Sequence, residues 1–477
     1  MAGDDTIPYY HQALDWEALV RDYPPPPAFA RTTGRLSADA LRALQNERFL
    51  QRMAEAWQTS FYRARWQAAG LEPGDIRTLD DLETIPTFNS DDLKQAIDAH
   101  PPFGNHHPID AADFARVPIK IQTSGGSTGL PRVTLFDPMA MEVQGIQTAR
   151  GLFAQGARPG DIIQITYTLS LANAGWCAYS GIHHWLGATP VTTGSGAVTP
   201  SERQLEYAQA WGTTGWFARG EYLARLVEVA REMKLDLRTL KTRQIHSFLG
   251  ADFEGHMRRQ LEEAWGVPVY DNYGTHEVGL VAFECQAQDR KHVNEDTAYI
   301  ELADVETGAP LPLGSRGNLV VTSLHRGVPP VIRYNLRDCM IAYGRETCSC
   351  GLATRKLSTF LGRSDEMVKL RGTNIYPLAC QNAVTKDART TGEFLCVVRH
   401  VGEGLGRRET MAVRIERRST DIDAVALAQD LSAALHKDLG VRVDVEIVER
   451  DTLAEHTRLG QANKVRRLLD LRRAPES

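Results

Sequence analysis

The stretch at 122–134, QTSGGSTGLPRVT, sets hydroxyls, paired glycines and a proline directly after the alternating run VPIKI. Glycines let backbone N–H groups approach an anion closely, and Ser and Thr hydroxyls add donors, so this loop suits phosphate. An ordinary glycine-rich turn is the alternative. A Walker-type loop would follow its last glycine with lysine. Leu130 stands there instead, and Arg132 is the basic side chain two residues on. Further along, VPVYDNYGTHEVG (267–279) ends an apolar run in a Tyr-Gly-Thr turn followed by Glu277. A carboxylate at a strand end can hold Mg²⁺ while the Thr275 hydroxyl faces a phosphate; a salt-bridged loop acid would look the same. VIRYNLRDCM (331–340) offers Asp338, able to accept two hydrogen bonds from a ribose diol or to pair with Arg333 or Arg337. GRSDEMVKLRGTNIYP (362–377) carries Arg363, Asp365 and Gly372, as a charged linker or as a hinge. GQANKVRRLLD (460–470) carries Lys464, on what would otherwise be a solvated basic helix face.

Recognisable elements surround these residues. SADALRALQNERFLQRMAEAW reads as a helix with Ser37 as N-cap and an apolar face of Leu41, Leu44, Leu50, Met53 and Trp57. It follows RDYPPPPAFAR, which reads as a solvated, polyproline-like arm. From about 140 to 320, helical stretches alternate with β-rich runs such as DIIQITY and GNLVVTSL, an α/β pattern with helices covering sheets. The last third differs. FLCVVRH and TMAVRIERR read as strands, DAVALAQDLSAALHKDL as an amphipathic helix closed by Gly440, and VRVDVEIVE as a half-buried strand. The expectation is a large N-terminal multi-sheet α/β domain, 1–364, and a small mobile C-terminal α+β domain, 365–477.

Composition bounds the function. The 477 residues are 42% apolar and 24% charged with a net charge of −6, which favours neither nucleic acid nor an anionic membrane. No apolar run is long enough to span a bilayer, no secretory leader is read, and seven scattered cysteines do not suggest a disulfide framework, so a cytoplasmic protein is expected.

Taken in order, TSGGSTGLPRV, YGTHEVG, YNLRD, GRSDEMVKLRGTN and NKVRRLLD resemble the adenylate-forming acyl-CoA synthetases, and more closely their phenylacetate-CoA ligase branch. FYRARWQAAGLEPGDIRTLDDLETIPTFNSDDL (61–93) and PGDIIQITYTLSLANAGWCAYSGIHHWLGATPV (159–191) resemble that branch too. The resemblance implies ATP, Mg²⁺ and coenzyme A, an acyl-adenylate intermediate and a small aromatic acid as substrate. A homodimer is an open partner. It implies that Ser124, Gly125, Gly126, Ser127, Thr128 and Gly129 cover the β- and γ-phosphates, that Glu277 binds Mg²⁺, and that Tyr273, Gly274 and Thr275 line the nucleotide. It implies ribose contacts from Asp338 with Arg363 close by, and an adenine-side turn at Gly250, Ala251 and Asp252, where Glu is commoner than Asp. Asp365 would be a pivot that brings Gly372 to the nucleotide, and Lys464 would bridge the acid and the α-phosphate; Asn463 replaces the family's usual glycine. Trp176, Tyr179 and Trp216 would stack on the substrate ring or be ordinary core. Transfer of the acyl group to a carrier-protein thiol or an amine, or a silent binding protein, are the alternatives. Cys285, His292, Cys348 and Cys350 suit tetrahedral Zn²⁺; the resemblance supports such a cluster, with buried free cysteines and a surface histidine as the other reading.

Overall fold

The computed structural model describes residues 9–124, 132–252, 254–370, 373–401, 408–457 and 465–472. The expected polyproline-like arm is packed rather than solvated. It forms helices α1 (Trp16–Asp22) and α2 (Ala28–Arg31), and Phe29 is buried. Two arginines hold it down: Arg150 donates through Nε to the Pro24 carbonyl at 3.0 Å, and Arg48 donates to the Asp22 carbonyl. Helix α3 (Ala38–Gln58) starts where expected, Ser37 accepting from the Ala40 amide at 3.2 Å. Its buried face matches the expected one only in part. Leu50 is exposed, and Gln45, Arg48, Phe49 and Arg52 are buried beside Leu41 and Met53. The reason is satisfaction of the guanidiniums, since Arg48 and Arg52 donate to the Asp296 and His325 carbonyls. Helices α4 (Ser60–Ala68) and α5 (Ser90–Ala99) complete this end of the chain.

A hairpin follows, β1 (Lys120–Ser124) antiparallel to β2 (Arg132–Phe136), with Ser124 opposite Arg132. Helix α6 (Pro138–Ala154) leads into β3 (Ile162–Ile165), α7 (Asn173–Ser180) and β4 (Thr189–Thr192). Then come α8 (Ser201–Trp211), β5 (Gly215–Arg219), α9 (Gly220–Glu232), β6 (Gln244–Phe248), α10 (His256–Trp265) and β7 (Val269–Thr275). Strands β3 to β7 are parallel, in the order β4-β3-β5-β6-β7. Successive side chains of a strand face opposite sides, and β5 shows the result. Trp216 and Ala218 pack under α8, α9 and α10, whereas Phe217 packs with α6 and α7. Helices therefore cover both faces, as a parallel sheet requires.

Beyond β7 the sheet turns antiparallel through β8 (Gly279–Phe283), β9 (Lys291–Val293), β10 (Ala298–Ala303), β11 (Pro310–Leu311), β12 (Arg316–Ser323), β13 (Tyr334–Thr347) and β14 (Ala353–Leu357). A short pair, β15 (Val368–Leu370) and β16 (Thr373–Ile375), and helix α11 (Cys380–Lys386) open the last part. Strands β17 (Thr390–Val401), β18 (Arg408–Arg417), β19 (Asp444–Val448) and β20 (Leu468–Asp470) form its sheet, ordered β19-β18-β17-β20. Helix α12 (Ala424–Leu439) lays Leu427, Leu431, Leu435 and Leu439 on that sheet and ends at Gly440, φ 69°. This core, Val368 to Val443, is separate from those before it. Among the described residues no helix is long and apolar enough to cross a membrane.

Candidate active site

In a parallel sheet, ligands meet the carboxyl ends of the strands. The ends of β6 and β7 lie side by side. After β6, Gly250 takes φ 69° and Ala251 is buried. The Asp252 carboxylate accepts from the Met257 and Arg258 amides, each at 3.0 Å, and so caps α10. Asp suits that capping task. After β7 the chain turns tightly into β8. A Cβ on Gly274 would stand 2.9 Å from the Gly279 carbonyl oxygen, so the turn closes only with glycine there. The Thr275 hydroxyl accepts from the Val278 amide at 3.1 Å, which leaves its own O–H free to donate.

Glu277 sits in this turn, buried. Burial alone would raise its carboxyl; the Arg132 guanidinium beside it wins and holds it down at about 2. It is the salt-bridged acid that was one of the two readings. Arg132 also donates through Nη1 to the Tyr334 hydroxyl at 2.8 Å and through Nε to Ser124 Oγ at 3.0 Å, besides the ion pair from Nη2. Each of its three nitrogens has a protein partner, so it braces Glu277. Sequence reading missed Arg326. It is fully buried and donates to the Glu277 carbonyl at 2.6 Å and the Leu135 carbonyl at 2.7 Å, with its guanidinium 3.9 Å over the Phe136 ring. Only its position after the apolar strand run LVVTSL hinted at burial.

Four residues from Tyr334 along β13, Asp338 accepts from the Tyr273 hydroxyl at 2.6 Å and from Arg363 Nη1 at 2.9 Å. Its partner is thus neither Arg333 nor Arg337. Those two adopt positive φ, 55° and 57°, and pair with Glu301 and Asp91. Burial and the neighbouring Asp338 charge push the Tyr273 hydroxyl well above its usual range, so it remains a donor. Arg363 also grips Asp365, at 2.8 and 2.6 Å. Two clusters result, joined through β13: Ser124, Arg132, Glu277 and Tyr334, and Tyr273, Asp338, Arg363 and Asp365. Gly125, Gly126, Ser127, Thr128, Gly129, Gly372 and Lys464 lie outside the described residues. Trp216 is core, edge-on to Trp265. Tyr179 stacks on His183, and Trp176 lies under Lys120.

The cysteine–histidine set lies at the β8–β9 and β13–β14 ends. The ligand atoms of Cys285, His292, Cys348 and Cys350 all fall within 4.8 Å of one another. Cys285 and Cys348 sulfurs are 3.7 Å apart, and Cys350 Sγ is 3.5 Å from His292 Nε2. Tetrahedral bonds of ~2.3 Å to sulfur and ~2.0–2.1 Å to nitrogen would set such pairs ~3.8 and ~3.5 Å apart. Thr354 Oγ1, 2.9 Å from His292 Nδ1, orients the ring toward the sulfurs.

Residues 372–472 match the family described as AMP-binding enzyme C-terminal domain. The phenylacetate-coenzyme A ligase of Thermus thermophilus is 30% identical over 454 residues, 92% of this chain and 98% of the relative. The ligase of the same name from Aromatoleum evansii is 29% identical over 451 residues, 92% and 97% of the two chains. Among solved structures, 2-hydroxyisobutyryl-CoA ligase in its postadenylation state superposes with a TM-score of 0.81 at 26% identity, covering 94% of each chain. The same ligase in the thioesterification state gives 0.68 at equal identity and coverage.

Arg132→Met tests the ion pair. It leaves the Glu277 carboxylate buried without its cation, at an expected cost of about 3–5 kcal/mol at pH 7. In the wild type the depressed carboxyl contributes stability above the unfolded pKa, lost as pH falls toward about 2. In the variant the uncompensated carboxyl is raised and protonates early on acidification. The stability gap should therefore narrow from pH 7 to pH 4 in denaturant titrations; a gap constant with pH would refute this pairing.

Proposed function

The chain belongs to the phenylacetate-CoA ligase branch of the adenylate-forming acyl-CoA synthetases, and we propose that it joins an aromatic carboxylic acid to coenzyme A using ATP. The acid's carboxylate attacks the α-phosphorus, the bond to the bridging oxygen breaks, and pyrophosphate leaves. The coenzyme A thiolate then attacks the acyl carbon of the adenylate, and AMP leaves. The observation that carries this reading is similarity to phenylacetate-CoA ligases along 91–92% of the chain. With ATP supplied, a panel of aryl acids should release AMP only when coenzyme A completes the turnover. Steady AMP release without coenzyme A, or none with any aryl acid, would overturn it.

In this reading Asp338 grips the ribose. Tyr273 and Arg363 each donate to one of its oxygens, and a carboxylate can accept about four hydrogen bonds in all. Thr275 donates its free O–H toward phosphate or adenylate. The ionised, hard-oxygen carboxylate of Glu277 fits Mg²⁺, which when bound would neutralise charge on the triphosphate. Residues 124–129 supply backbone and hydroxyl donors to the outer phosphates. Residues 1–364 bind ATP and acid, and 365–477 form the moving part, turning at Asp365 between half-reactions. The superposition score is higher with the postadenylation neighbour than with the thioesterification one, which supports a resting pose nearer the former.

Two variants separate the halves. Lys464→Ala should slow acyl-adenylate formation by about 10²–10³ while thioester formation from supplied adenylate stays near wild type. Asp365→Pro, which fixes φ at the turning point, should slow the thioester step far more than adenylation. Equal losses in both halves would count against the assigned roles.

Zinc is proposed at Cys285, His292, Cys348 and Cys350, as a closed structural site. Metal analysis of purified protein should find about one zinc per chain, and Cys348→Ser should lose it together with thermal stability. Substantially less than one zinc in the wild type removes the site.

A further inference from the structure

Successive residues of β1 alternate sides. Ile121 points outward, 41% exposed, while Lys120, Gln122 and Ser124 share the inner face. At one end of this row Ser124 meets Arg132 and through it Glu277. At the other, Lys120 Nζ lies 3.3 Å from the Trp176 ring centroid, buried and with no hydrogen-bond partner among the described residues. The indole is fixed in turn, its Nε1 donating to the Ser170 carbonyl at 2.7 Å. Between the ends, Gln122 is fully buried, and neither amide atom has a partner among the described residues.

Helices α6 and α7 add more of the same. Gln144 Nε2, Gln147 Oε1 and Asn173 Oδ1 are buried and unpartnered among the described residues. They form one cluster, since Asn173 Nδ2 donates to Gln144 Oε1 at 2.5 Å and the Cys177 thiol lies 3.3 Å from that same oxygen. The cluster abuts the Glu277 turn: a Cβ on Gly279 would stand 2.4 Å from Gln147 Oε1 and 2.6 Å from Gln144 Cγ. Each unpaired buried polar atom costs about 1–3 kcal/mol. Five such atoms on four residues, beside a desolvated amine and with Gln144 and Gln147 against the reaction turn, make a surface that a ligand completes.

We propose that Lys120, with Gln122 and Gln144, reads a hydrogen-bond-accepting, anionic or phenolic substituent on the acid, at the end remote from the carboxylate that is adenylated. The inference rests on the aryl-acid reading above and narrows it. An ammonium offers three donors and no acceptor, so its missing partner is an acceptor. The remote end follows from the row itself: Lys120 and Ser124 are four strand residues apart, roughly 13 Å. Trp176 gives the ring a face to lie against and holds the ammonium by a cation–π contact until the acid arrives. Burial lowers Lys120 to about 7. The titratable group facing it from α7 is the Cys177 thiol, pushed up to about 12 by burial and so neutral, while β2 presents Phe136 opposite. Lys120 is therefore charged below about pH 7 and uncharged above it, and preference for an anionic substituent should fade as pH rises through that value.

The test is ATP–pyrophosphate exchange by the full chain with phenylacetate and its ring-hydroxylated and ring-carboxylated forms. In the wild type at pH 6.5, kcat/KM for at least one substituted acid should exceed that for phenylacetate by about tenfold or more. For a carboxylated acid the ratio should fall as pH rises through about 7, and Lys120→Met should lower it by a similar factor. A ratio at or below one for every substituted acid overturns the inference, as does a Lys120→Met variant that slows all acids equally. Exchange with no aryl acid would instead remove the underlying reading, and this one with it. Should the variant fail to fold, the wild-type ratios and their pH profile decide alone.

Discussion

A carboxylate stays ionised in a protein interior only beside a cation, and the Arg132–Glu277 pair meets that demand where the chain most needs it. The guanidinium reaches three elements at once: Ser124 on β1, Tyr334 at the start of β13, and Glu277 in the β7–β8 turn. Both strand ends that flank residues 125–131 are thereby fixed, Ser124 on one side and Arg132 on the other. The same pair keeps Glu277 an anion that a hard metal could use, without Arg132 having to leave, because one carboxylate accepts several partners. Arg326 adds a second brace from below by holding the Glu277 carbonyl and the Leu135 carbonyl of β2.

Much of this was legible in the sequence, and what was not has a common cause. The C-terminal helix and its Gly440 stop, the Ser37 cap and the alternating α/β body follow from local periodicity and capping chemistry, which act within a few residues. The buried face of α3 does not. Arg48 and Arg52 are inside because carbonyls 248 and 273 residues away receive their protons, and no window of sequence reports such partners. Asp338 shows the same limit: the local arginines at 333 and 337 were reasonable mates, but their positive φ aims them at Glu301 and Asp91, and the mate comes from position 363. Lys120 looked like an ordinary polar position in an alternating strand. Its amine became conspicuous only once α7 was seen to cover it.

Asp252 illustrates how a departure from a family pattern can be absorbed. A shorter acid at the start of α10 accepts from two amides of that helix, so the side chain serves the fold.

Charge accounting at the reaction centre then points in one direction. Adenylation brings an acid's carboxylate against a triphosphate, anion on anion, so positive charge must arrive where the new bond forms. Among the described residues near Glu277, Arg132 is committed to three protein partners and Arg326 to backbone carbonyls. Arg363 is committed to Asp338 and Asp365. Each holds a protein group in position, and withdrawing one would strand a buried carboxylate or carbonyl. A cation that follows the reacting atoms must therefore be one other than these three arginines, whose task is to hold the shape of the site.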